Sequence, residues 1–173
     1  MPSLTGVHQG VHQISTLDGT TAASSTGDIR NALSESDAAL DTVLETLIDG
    51  IRGFAAAASK ADSPMQQQFM AMGAQRRKTT QDIIRIATDA GLAPISLDDG
   101  TAAGTLHRSW LSLREVIQGD AGLAASALTG EQHAKSKLEG ALSTGVPQSV
   151  VRVVLRALKE VDANISKLRS MAN

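Results

Sequence analysis

A chain of 173 residues, 42% of them hydrophobic, suits a single domain that builds its core without a membrane span or a disulfide framework. With 16 basic and 18 acidic residues the net charge is −2, and no basic cluster is dense enough to neutralise a run of phosphates, so a nucleic-acid partner is not expected. Cysteine is absent, which excludes thiolate metal sites and fits a reducing compartment.

Residues 1–33 are rich in Gly, Ser and Thr and show no helical period, so composition predicts a low-complexity N-terminal tail ahead of a bundle domain over 34–173. The start of the chain carries neither a basic n-region nor an apolar h-region, and no stretch approaches the roughly 20 apolar residues of a spanning helix. The expectation is a cytoplasmic protein with no membrane partner. Within the tail, Gly6-Val7-His8-Gln9 is repeated at once as Gly10-Val11-His12-Gln13. On a helix His8 and His12 would share a face at the spacing of a two-histidine metal clip, but the glycines make such a helix poor. The tail is an alternative docking peptide for a partner, since short N-terminal segments can fold on binding.

Ser34 with Asp37 three residues later is a capping-box variant, and it predicts a first helix from Ser34 to about Lys60. Its apolar positions Leu40, Leu44, Leu47, Ile51 and Phe54 recur at spacings of 4, 3, 4 and 3. Asp62-Ser63-Pro64 supplies a cap and a proline at the first helical position of a second helix, which Gly91 and Pro94 stop. Its seam reads Met65, Phe69, Met72, Arg76, Thr79, Ile83 and Ile86, apolar at both ends with a charge midway. The short gap makes these two helices antiparallel neighbours.

After a loop over 95–100, Leu106, Trp110, Leu113 and Ile117 predict a short amphipathic crossover helix ending at Gly119. Asp120 is the expected cap of a third long helix, whose predicted stripe is Ala124, Leu128, Glu131, Lys135, Leu138 and Leu142, again interrupted by charge. Gly145 and Pro147 punctuate the passage to the last helix, with the seam Val151, Val154, Leu158, Val161, Ile165 and Leu168. Phe54, Phe69 and Trp110 are the only aromatic residues, so aliphatic side chains and many alanines fill the core and no platform exists for stacking bases. Two hairpins joined by a long crossover is the connectivity of ferritin-like bundles. The fold class is therefore all-α, a ferritin-like four-helix bundle with an extra short crossover helix between the second and third long helices.

At Asp49-Gly50-Ile51-Arg52-Gly53-Phe54 and at Leu106-His107-Arg108-Ser109-Trp110-Leu111-Ser112-Leu113 the chain resembles a bacterial family of ferritin-like four-helix-bundle proteins of unknown function. Gly73-Ala74-Gln75-Arg76, Gly119-Asp120, Thr129-Gly130-Glu131 and the run 153–171 extend the likeness over about residues 38–171. The resemblance implies the fold and suggests a stress-related assembly; it implies no settled activity.

Di-iron bundles place one Glu on each of two helices and a Glu-x-x-His pair on each of the other two. Here the second helix reads Gln75-Arg76-Arg77-Lys78 at that place and the last reads Glu160-Val161-Asp162-Ala163, so no histidine follows either. If a metal were held, its ligands would come from Glu45, Asp49, Glu131 and Glu160, enough for one hard cation but not for an oxidation centre. The alternative is an interior polar cluster of Gln75, Arg76, Lys78 and Glu131 in which Arg76 or Lys78 neutralises Glu131. No metal or other cofactor is then expected, iron entering only under the metal-binding alternative.

His107 and Arg108 are expected to brace the crossover helix that Trp110 anchors, and His133 to face solvent. No Ser-His-Asp constellation, phosphate-cradling glycine loop or Cys-His pair is evident. These observations lead to a non-enzymatic structural or interaction protein, the expected partners being a second copy of the chain in a homo-oligomer (dimer) and a protein bound through residues 1–33. The rival is a metal-binding ferritin-like protein, for iron storage or oxidoreduction, with a reduced carboxylate site.

Overall fold

A computed structural model describes residues 20–97 and 119–172, and the side chains of 28–97 and 119–172. The described residues are all-α with no strand: α1 (Thr20–Ala58), α2 (Ser63–Asp89), α3 (Asp120–Thr144) and α4 (Val151–Ala172). No helix among them is long and apolar enough to cross a membrane. The crossover segment 106–117, with His107, Arg108 and Trp110, lies outside the described residues, as do His8 and His12.

Helix α1 packs on α2 and α3, and α4 packs on α3 and α2, so the four helices form a four-sided bundle. Their directions follow from cross-helix contacts. The backbone N–H of Asp62, at the start of α2, donates to Asp120 Oδ1 at the start of α3 (3.1 Å), so α2 and α3 run parallel on opposite corners. Gln68, Thr79 and Asp82 meet Lys167, Glu160 and Arg156 in reverse order, so α2 and α4 run antiparallel. The end of α2 and the start of α3 therefore lie at opposite ends of the bundle.

The punctuation read from the sequence sets most ends. Pro64 occupies the first turn of α2, and Gly91 takes φ 80° beyond its last turn, where Leu92 N–H donates back to the Ala87 carbonyl (3.0 Å). Two starts differ from expectation. Gly119, with φ 84°, is the N-cap of α3, while Asp120 sits in the first turn and accepts from Asp62. And α1 begins at Thr20, so Ser34 and Asp37 are helical and cap nothing, and 20–33 belongs to a helix. No proline interrupts 20–58, and Ile29, Leu33 and Leu40 continue the apolar stripe backwards at helical spacing, so the backbone gains by continuing. The extension overshoots the core: from residue 28 to 38 every side chain is exposed except half-buried Ser36, and Ile29 and Leu33 are each 62% exposed.

Most of the predicted seams of α2 and α4 is buried, centred on Phe69, Met72, Arg76, Thr79 and Ile83 and on Val154, Val161, Ile165 and Leu168, while Met65, Ile86, Val151 and Leu158 are half-buried. The stripe of α3 is rotated from the expected one. Ala127, Ala134 and Ala141 are buried with Ala124, Glu131 and Leu138, while Leu128, Lys135 and Leu142 are only half-buried. Alanines on the buried line keep that face of α3 low enough for its neighbours to pack closely, and the longer side chains flank it.

The apolar core falls into two clusters. One is built on Leu40, Val43, Leu44, Leu47, Ile83, Leu138 and Val154, the other on Phe54, Phe69, Met72, Ala124, Ala127 and Leu168. Along every helix the residues between the two include polar ones: Asp49 on α1, Arg76, Thr79 and Thr80 on α2, Glu131 on α3, and Glu160 and Asn164 on α4.

Candidate functional site

This middle layer is the candidate site. Arg76 and Glu131 stand on the central lines of α2 and α3, so the packing that buries their apolar neighbours buries them too: each side chain is 1% exposed. Arg76 Nη2 donates to both carboxylate oxygens of Glu131, at 3.0 Å to Oε1 and 2.7 Å to Oε2. Asn164 Nδ2 adds a third bond, to Oε2 at 3.0 Å. Both oxygens of Glu131 are thus engaged by N–H donors, which is what an ionised carboxylate requires away from water.

The guanidinium is held on its other sides by α1. Its Cζ lies 5.7 Å from the centroid of the Phe54 ring, a cation–π distance, and Phe54 stacks on Phe69 with ring centroids 6.4 Å apart. Arg76 Nη1 lies so close to Gly50 that a Cβ there would stand 2.6 Å from it. Gly73 of α2 faces Phe54 less tightly, an added Cβ falling 3.4 Å from Phe54 Cβ, close to ordinary contact. Gly50 of α1 is thus the notch that receives Arg76 of α2. Arg76 Nε and Nη1 are fully buried and donate to no described residue.

The remaining polar groups of the layer are occupied locally. Thr80 Oγ1 donates to the Arg76 carbonyl at 2.8 Å, within its own helix. Thr79 Oγ1 lies 2.9 Å from both oxygens of Glu160, and Arg156 Nε is 4.0 Å from Glu160 Oε1. Asp49 is buried, with Arg52 Nη1 3.8 Å from its Oδ1.

Of the residues assigned to an interior cluster from the sequence, the structure brings together Arg76 and Glu131. Gln75 and Lys78 are exposed, and both line an open groove of about 470 Å³ between α2 and α4 with Asp82, Arg156 and Glu160. The reason is angular: at about 100° per residue, Lys78 points some 200° away from Arg76. Glu45 is exposed as well, so of the possible metal ligands only Asp49, Glu131 and Glu160 lie at the layer. Lys135 sits at the rim, its ammonium 2.7 Å from Asp162, and that hydrogen bond raises its pKa. His133 is exposed at the mouth of a cavity of about 20 Å³ bordered by Asp49, Gly50 and Glu131, too small for an organic ligand.

The layer does not fit the iron centre of a di-iron bundle. Glu131 has spent both oxygens on N–H donors, and its principal partner is a permanently charged group that cannot ligate. Among the described residues, no three His, Asp or Glu side chains converge as a metal site requires. Asn164, Gly50 and the cation–π role of Phe54 escaped the sequence reasoning. Asn164 had a signal, since it lies one turn after Glu160 on the same face of α4.

The sequence matches, over residues 35–144, the family described as "Domain of unknown function (DUF2383)". No curated protein and no solved structure matches the chain. The matched span holds Gly50, Phe54, Arg76 and Glu131, while Glu160 and Asn164 lie beyond it.

Proposed function

The chain belongs to the DUF2383 family of domains of unknown function, and from that premise we propose that it is a non-enzymatic ferritin-like bundle with a degenerate metal site, a structural or interaction protein that works through its surface. The observation that carries this reading is the buried Arg76–Glu131 pair at the middle of four helices. A guanidinium fixed there supplies the positive charge that a bound cation would otherwise bring, and it ties α2 to α3 across the bundle diagonal. The up-down-down-up order of the helices supports the ferritin-like assignment.

A surface role is supported by the α1 extension, where Ile29 and Leu33 continue the core stripe beyond the bundle body with both side chains exposed. The partner we assign to it is a second copy of the chain, in a stress-related homo-oligomer as the family likeness suggests. One preparation tests both halves of the proposal. Protein purified without a histidine tag and loaded anaerobically with Fe²⁺ is expected to retain less than stoichiometric iron, unchanged by Glu131→Gln. The same sample should sediment as a dimer and, lacking residues 1–33, as a monomer. Stoichiometric iron abolished by Glu131→Gln would favour the storage or oxidoreductase reading, and a full-length monomer would contradict the surface role.

A further inference from the structure

We propose that the middle layer is a binding site selective for guanidinium cations, filled in this chain by its own Arg76, and that it accepts a free alkylguanidinium once that side chain is cut back. The inference rests on the reading of the layer as a non-metal centre, and it adds the chemical class of the ligand.

Four features on three helices shape the site for a flat, delocalised cation rather than for charge alone. Glu131 places both oxygens on a single guanidinium nitrogen, Nη2, and Asn164 donates to Oε2 of the same carboxylate. The Phe54 ring lies within cation–π range of Cζ and is itself held against Phe69. Gly50 withholds the Cβ that would otherwise displace Nη1. Two of the guanidinium nitrogens, Nε and Nη1, are buried without a hydrogen bond to any described residue. A weakly hydrated guanidinium tolerates such donors far better than an ammonium, which is compact and strongly hydrated. The site therefore discriminates by shape and desolvation. The motif Asp49-Gly50-Ile51-Arg52-Gly53-Phe54 acquires a physical role, since its first glycine and its phenylalanine are the two α1 contacts with the guanidinium.

The test uses the full chain carrying Arg76→Ala. Ethylguanidinium restores the atoms removed beyond Cβ, and ethylammonium carries the same charge without the plane. At a hundredfold excess over its Kd, ethylguanidinium is expected to raise the Tm of Arg76→Ala by roughly 5 to 10 °C. Ethylammonium should shift it by no more than about 1 °C, and neither cation should shift wild type or the Arg76→Ala/Glu131→Gln chain. Equal shifts from both cations, or none from ethylguanidinium, would overturn the proposal. A Tm rise of the wild-type chain with Mn²⁺ would instead overturn the non-metal reading on which it rests.

Should Arg76→Ala not fold, the wild-type chain carries a second readout in the NMR signals of its arginine side chains. Separate, slowly exchanging Nη signals for Arg76, against averaged ones for exposed Arg85, are expected. Averaged, fast-exchanging Arg76 signals would contradict the cradle.

Discussion

Arg76→Met lowers the stability of the chain by about 3 to 5 kcal/mol, although methionine is apolar and unbranched like the arginine stem, because it strands the Glu131 carboxylate in the core. Glu131→Met costs a comparable amount by stranding the guanidinium. The double change Arg76→Met/Glu131→Met returns to within about 1 kcal/mol of wild type or exceeds it, since a buried ion pair repays little more than its own desolvation. Against a total of about 5 to 15 kcal/mol, either single loss is a large fraction. Urea denaturation with unchanged m-values measures all three. Glu139→Ala is the control: Glu139 is an exposed partner of Lys135 at 3.8 Å, and its removal should cost under about 1 kcal/mol. Equal losses for Arg76→Met and Glu139→Ala would show that the pair is not buried.

Gly50→Ala is the second large effect, and its sign is the informative part. In an exposed helix position, Gly→Ala gains up to about 1 kcal/mol, and Gly140, with nothing within 4 Å of an added Cβ, should show that gain. At Gly50 the new methyl would stand 2.6 Å from Arg76 Nη1. Moving Nη1 aside draws Nη2 away from the Glu131 carboxylate, to which it donates at 3.0 and 2.7 Å. A net loss of about 1 to 3 kcal/mol is expected. In an Arg76→Met background the clash is relieved, so the same substitution should cost little or stabilise, giving a coupling energy of about 1 kcal/mol or more. Additive effects would mean that Gly50 does not hold the guanidinium.

The parts of the fold that were legible in the sequence are those where one physical signal had no rival. Pro64 and Gly91 leave α2 little choice of ends, and the seam of α4 is made of residues that are apolar at every step. Charge at Arg76 and at Glu131, midway along otherwise apolar stripes, points by itself to a polar layer. Where two signals competed, residue chemistry misled. Ser34 and Asp37 have the spacing of a cap, yet a cap contributes only about 1 kcal/mol and cannot stop a helix whose stripe continues through Leu33 and Ile29. On α3, hydropathy favours Leu128 and Leu142, but the buried line runs through the alanines one position away. Gly50 was illegible for a different reason, because a helical glycine announces close contact without naming what comes close. The choice between Arg76 and Lys78 needed the observed rotation of α2 about its axis.

A crystal structure of the protein grown with Mn²⁺ tests the central claim most directly. The account predicts no anomalous peak between the four helices and the Arg76 guanidinium within about 3 Å of Glu131. One or two manganese ions bridged by Glu131 and Glu160, with Arg76 turned out of the core, would contradict it.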